Sequence, residues 1–176
     1  MSTALAQTAP EFTLPGVDGS DHSLGDYGDA AALVVVQTCN HCPWAQAWEG
    51  RLIEIARDYA DRGVSVVAIS SNDATNHPED SFDEMAKRAQ AKGYTFDYLY
   101  DESQEVARTL GSQRTPEVFL YDGDRKLVYH GAIDDNRDEH AVTAHYLRDA
   151  LDAVLAGDDP AVAATEPIGC TVKWSR

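Results

Sequence analysis

The spacing of apolar and polar positions divides the chain into short β-branched runs and longer stretches of helical period. Leu33 to Gln37 reads as a buried strand, since a short run this rich in Val needs cover on both faces. From Pro43 to Arg62 the period changes. Trp44, Trp48, Leu52, Ile55, Ala56 and Tyr59 recur at three- and four-residue steps, which marks one face of a helix begun by Pro43 and stopped by Gly63. Val64 to Ser70 is a second buried strand, and Ser81 to Lys92 an amphipathic helix ending at Gly93. Tyr98 to Tyr100 is a short strand, and Ser103 to Leu110 a short helix. Glu117 to Tyr121 and Lys126 to His130 flank Asp122-Gly123-Asp124-Arg125, a hairpin signature. A last helix is expected from Glu139 to Leu155, with a loose tail over residues 157–176. Ahead of all this, Phe12 to Leu14 and the turn dipeptides Pro15-Gly16 and Asp18-Gly19 describe an extended lead-in or β-hairpin.

Strands alternating with helices call for parallel pairing through right-handed crossovers, and the late hairpin adds antiparallel strands. The expected class is α/β: one domain over residues 1–176, with a central mixed sheet covered by helices on both faces.

Charge then narrows the function. The chain has 30 acidic side chains against 14 Lys plus Arg, a formal charge of −16. A nucleic-acid binder needs the opposite sign. The longest apolar run, Ala30 to Val36, is far short of the ~18 residues of a membrane span. The N-terminus lacks the basic start and apolar core of a secretory signal, so a cytoplasmic protein is expected. Asp outnumbers Glu 20 to 10, Lys occurs four times, and the acidity runs through every segment. Such self-repulsion is relieved at molar salt, where the Debye length is ~3 Å, so a halophilic protein is expected.

Three cysteines are too few for a disulfide scaffold, and two of them form Cys39-Asn40-His41-Cys42 between a strand end and a helix start. A sulfur there meets the unpaired N–H groups and positive dipole of the helix, which favours thiolate over thiol. Cys39 is expected to be the exposed, low-pKa nucleophile and Cys42 the resolving thiol, with His41 stabilising the thiolate. The competing reading is half of a zinc site, completed by Cys170 and one of His41, His77 or His130, none of which has ligand-pair spacing. Redox chemistry needs only the two cysteines, so neither metal nor cofactor is expected. Cys170 is a candidate third redox cysteine. Trp44 and Trp48 read as helix packing, the remaining histidines as surface groups, and Asn72, Asp73 and Asp134-Asp135 as turn formers and solvated carboxylates.

Thr115-Pro116 just before a strand, together with the Cys-x-x-Cys junction and the late hairpin and helix, resembles the thioredoxin fold, in which that proline is cis and packs on the active-site disulfide. Ala9-Pro10-Glu11-Phe12-Thr13-Leu14 followed by Asp18-Gly19 resembles the lead-in of its alkyl hydroperoxide reductase/thiol-specific antioxidant (peroxiredoxin-like, redoxin) branch. Cys39-Asn40-His41-Cys42-Pro43, Ser71-Asn72-Asp73, Pro78-Glu79-Asp80-Ser81, Ile133-Asp134-Asp135 and Gly169-Cys170-Thr171-Val172-Lys173-Trp174 are similar to one group within that branch. The resemblance implies a thioredoxin-like oxidoreductase with an antioxidant role, a protein or small-molecule disulfide or peroxide as substrate, and a thiol reductant system. Its alternatives are a thiol peroxidase using Cys42, or a redox-sensing or metal-binding module without turnover. Thr38 stands where thioredoxins have Trp, and Leu33 where they bury an acid. Against the peroxiredoxin Thr-x-x-Cys pattern, Cys42 takes the peroxidatic place and Cys39 that of the threonine. The peroxide-polarising arginine falls near Pro116, which leaves Arg114 to substitute.

Overall fold

A computed structural model describes residues 5–176. The lead-in is a small antiparallel hairpin of β1 (Thr13–Pro15) and β2 (Asp21–Ser23), turned through Gly19 at φ +87°. Five strands form the central sheet: β3 (Ala32–Thr38), β4 (Val64–Ser70), β5 (Asp97–Tyr100), β7 (Glu117–Tyr121) and β8 (Leu127–Gly131), in the order β5-β4-β3-β7-β8. β3, β4 and β5 are parallel, while β7 and β8 run antiparallel. The mixed sheet is therefore the expected one.

β3 is central and all seven of its residues are buried. Its alternating side chains feed two cores. Ala32, Val34 and Val36 pack under Trp48, Leu52 and Ile55 of α1 (Pro43–Ala60) and Leu147 and Leu151 of α4 (Tyr146–Leu155). Leu33 and Val35 face the other way, with Val67, Ile69 and Phe119, onto Val106 and Leu110 of α3 (Glu105–Leu110) and Phe12 of the lead-in. The third helix of the first face is α2 (Phe82–Lys92), whose Met85 packs on Ala68 and Tyr98. Ser81 caps it by accepting from the Glu84 N–H, and Gly93 at φ +67° ends it in the left-handed conformation that a Cβ would strain.

Three expectations are corrected. The helix expected from Glu139 breaks into a single 3-10 turn, Glu139–Ala141, before α4 starts at Tyr146. The Asp135 carboxylate takes both the N–H and the hydroxyl of Thr143, which removes that N–H from any helical ladder. Asp134 is not solvated. It is buried against Arg51 at 2.8 Å and accepts from Trp48 Nε1 at 2.8 Å, which ties α1 to the loop after β8.

Nor is the tail loose. Thr165 N donates to His130 O at 2.9 Å, and β9 (Cys170–Thr171) pairs antiparallel with β6 (Arg114–Thr115). The backbone crosses close at two glycines: a Cβ at Gly131 would lie 2.1 Å from Thr165 Oγ1, and one at Gly169 2.1 Å from Thr115 O. Beyond these, Lys173 N donates to Asn72 Oδ1 and Lys173 O accepts from Gln104 Nε2. Two-residue strands and glycine crossings leave no periodic signal, so neither is legible in the apolar pattern. No described helix is long and apolar enough to cross a membrane.

Candidate redox site

The end of β3 delivers Cys39 to the head of α1, where Cys42 occupies the N-cap and Pro43 the first helical position. Pro43 has no N–H to leave unpaired, so the turn starts tightly and both sulfurs face the same loop. That loop is Thr115-Pro116, whose peptide bond is cis. Cys39 Sγ–H donates to Thr115 Oγ1 at 3.6 Å, and Cys42 Sγ lies 3.4 Å from Thr115 O. Both sulfurs are buried, Cys42 completely. Trp44 packs over them and stacks on Trp48 with ring centroids 6.0 Å apart, while the Arg137 guanidinium covers Trp44 from outside at 4.8 Å.

Their surroundings push the acidities of the two thiols in opposite directions. The Cys42 thiol is held down to about 4, chiefly by the neighbouring Cys39 side chain; burial opposes this, while Cys170, the Ala45 N–H and Thr115 add to it. Cys39 is pushed well up by the Cys42 side chain, and burial and the Asp80 carboxylate push it further. As a thiol Cys42 can satisfy only the Thr115 carbonyl; as a thiolate it collects the surrounding donors at the positive end of an 18-residue helix.

His41 does not serve the thiolate as expected. Its Nδ1 pairs with Asp80 Oδ2, and its ring stacks on His77 with centroids 5.5 Å apart. Asp80, fully buried, is the residue the spacing arguments missed. Its Oδ1 accepts from Asn40 N at 2.8 Å and His41 N at 3.1 Å, and its Oδ2 also accepts from Asn72 Nδ2 at 3.0 Å. One carboxylate thus pins the backbone between the two cysteines. Tyr98 supports the same loop from β5, donating to Asn40 Oδ1 at 2.7 Å. The sequence signal was the Pro78-Glu79-Asp80-Ser81 string, but nothing in one chain says that a loop 40 residues away closes on Cys39.

The remaining candidates separate. Thr38 is buried at the end of β3, in register with Ser70. Arg114 is exposed on β6, and only its backbone N–H joins the site loop, donating to Glu117 Oε1 at 2.8 Å. Cys170 lies against Cys39 and Cys42. His130 is half-buried on β8 and bonded to Glu117 Oε2 at 2.8 Å, committed elsewhere than to a zinc site. Cys39, His41 and Asp80 bring possible ligand atoms within 4.8 Å of one another. A metal there would have to displace the hydrogen bonds that Asp80 already accepts, so the donor set fits a structural carboxylate better than a ligand.

The AhpC/TSA family matches residues 5–130. The chain is 28% identical over 128 residues to the thiol-disulfide oxidoreductase ResA of Geobacillus thermodenitrificans, covering 72% of this chain and 68% of the relative. A hypothetical protein from Sinorhizobium meliloti superposes with a TM-score of 0.92 at 42% identity, over 99% of this chain and 97% of the other. The thioredoxin domain of a thiol-disulfide oxidoreductase from Bacteroides vulgatus superposes at 0.61 with 18% identity, over 72% and 87% of the two chains, which bears on the fold alone. The sheet order and its flanking helices are those of the thioredoxin-like fold, and the chain is an oxidoreductase that belongs to the AhpC/TSA family.

Proposed function

We propose that this protein carries out thiol–disulfide exchange through Cys39 and Cys42, in the cytoplasm. Its oxidant is a protein or small-molecule disulfide, and a thiol reductant system returns the electrons. The observation that carries the reading is the pair of sulfurs at the head of α1, both within hydrogen-bonding reach of Thr115. In the reduced protein the Cys42 thiolate attacks one sulfur of the substrate disulfide. A mixed disulfide forms and one substrate thiolate leaves. Cys39 then loses its proton and attacks Cys42 Sγ, which expels the second substrate thiolate and closes the Cys39–Cys42 disulfide. The proton has a destination. Leu33 is apolar and fully buried where thioredoxins place an acid, and the acid–base groups near Cys39 Sγ are instead His41 and Asp80, within 4.8 Å.

A second reading, peroxide reduction at Cys42, is favoured by the burial of its thiolate, which a small oxidant reaches more easily than a protein disulfide does. There the thiolate attacks a peroxide oxygen, an alkoxide or hydroxide leaves, and Cys39 condenses with the sulfenic acid to a disulfide and water. The exposed Arg114 side chain weighs against it, because no guanidinium is committed to the sulfur.

Reduction of insulin disulfides by dithiothreitol, with and without the protein, tests the first reading; peroxide consumption coupled to a thioredoxin system tests the second. Catalysed insulin reduction that is abolished in Cys42→Ser and slowed in Cys39→Ser is the expected result. Peroxide turnover without insulin reduction would replace the first reading with the second.

A further inference from the structure

We infer that Cys170 is a third redox-active sulfur of this centre, able to form a disulfide with Cys42 in competition with Cys39. This rests on the thiol–disulfide reading above and extends it to the route by which electrons reach a buried pair. Register is the first argument. In the β6–β9 ladder Cys170 stands opposite Thr115, the residue that both other sulfurs touch. Three cysteines from sequence positions as far apart as 39 and 170 thereby meet around one residue, and Cys170 packs in the same small cluster as Cys39, Cys42 and Ala45.

The second argument is how firmly the approach is held. Gly169 lets the tail backbone press against Thr115 O, at a separation where a Cβ would sit 2.1 Å away. Val172, just after the cysteine, is buried and donates its N–H to Gln113 O at 3.0 Å. Lys173 is bonded on both sides of its peptide plane, its N–H to Asn72 and its carbonyl to Asp73 N and Gln104 Nε2. A tail that merely covered the sheet would not need a sulfur aimed at the α1 N-terminus. A small apolar residue would fill that place.

Accessibility is the third. Cys39 and Cys42 are 3% and 0% exposed, whereas Cys170 is half-buried, so it is the most accessible sulfur of the three to solvent-borne reductants. Its side chain also helps lower the pKa of the Cys42 thiol.

The step balances without an outside oxidant. When the Cys39–Cys42 disulfide has formed, the Cys170 thiol gives up its proton and attacks Cys42 Sγ. The Cys42–Cys170 bond forms, the Cys39–Cys42 bond breaks, and Cys39 leaves as a thiolate that takes up a proton. No electrons are gained or lost. A dithiol reductant then attacks at Cys170 and delivers two electrons and two protons, restoring three free thiols.

The test uses the full chain. After treatment with graded ratios of oxidised to reduced glutathione, proteolysis and mass spectrometry of the unreduced wild-type protein are expected to find Cys42 joined to Cys39 in some molecules and to Cys170 in others. Cys39→Ser is expected to form the Cys42–Cys170 bridge alone. Oxidised Cys170→Ser is expected to be re-reduced by dithiothreitol on the order of tenfold more slowly than wild type, because the most accessible sulfur is gone. Absence of any Cys42–Cys170 peptide in both wild type and Cys39→Ser would overturn the inference, as would an unchanged re-reduction rate in Cys170→Ser. Insulin reduction separates the two claims. A wild-type protein that reduces insulin yet never shows the Cys42–Cys170 peptide loses only the third sulfur, and one that shows the peptide without reducing insulin loses only the exchange reading.

Discussion

Replacing Asp80 by Asn removes one negative charge from beneath the cysteine loop while keeping the side-chain shape. The retained Oδ1 still accepts from Asn40 N and His41 N, whereas the new amide faces Asn72 Nδ2 and His41. Two bonds are lost, at ~1–3 kcal/mol each. The effect on Cys39 follows from distance. A unit charge within 4.8 Å of Cys39 Sγ interacts by roughly 3.5 kcal/mol at an effective dielectric constant of about 20. At about 1.4 kcal/mol per pH unit this corresponds to about 2.5 units, and sharing of the same carboxylate by His41 reduces it to about 1 to 2 units. The Cys39 thiol should therefore titrate about 1 to 2 units lower in Asp80→Asn. The clean assay is thiolate absorbance against pH in a Cys42→Ser, Cys170→Ser background, where Cys39 is the single thiol. An unchanged or higher midpoint in a folded Asp80→Asn protein would refute the assignment of Asp80 as a group that raises the Cys39 thiol.

Further outcomes follow from the same geometry. With Cys42 held at about 4 against an ordinary thiol value of 9.0, alkylation of Cys42 by iodoacetamide should already be on its plateau by neutral pH. Between those two values the unfolded chain binds more protons, so the reduced protein should gain stability as pH rises from about 4 toward 9 and lose it as pH falls through 4. Denaturation of the disulfide form, compared at the same pH values, should lack this slope. Gly169→Ala forces a Cβ to within 2.1 Å of Thr115 O, so the tail should shift, at a cost of about 1–3 kcal/mol, and Cys42 should alkylate faster in a stopped-time assay. Arg51→Ala leaves Asp134 buried without its cation and should lower stability by about 3–5 kcal/mol in chemical denaturation, with the thiol titration unmoved. The formal charge of −16 also opposes thiolates at low ionic strength, so alkylation at a fixed pH near 4 and the melting temperature should both rise toward molar KCl. Flat responses would remove the proposed halophilic adaptation.

Much of the fold was written in the apolar period. The strand Leu33 to Gln37, the α1 face from Trp44 to Tyr59, and the stops at Gly93 and Gly111 were legible because each depends on residues within one or two turns of its neighbours. The cysteine spacing, and its place between a strand and a helix, likewise located the candidate site. Tertiary contact decided the rest. The surroundings of the two sulfurs include Asp80 on one side and Cys170 on the other, 38 residues after Cys42 and 128 residues after it, and the spacing of Cys39 and Cys42 alone indicates neither. Asp134 changed from a solvated carboxylate to a buried partner of Arg51 for the same reason, and the tail changed from loose to clamped through two glycines. Local sequence sets backbone preference and which faces are apolar. Charge, proton affinity and access at a buried site are set by what packs around it, and those neighbours come from parts of the chain that only the closed fold brings together.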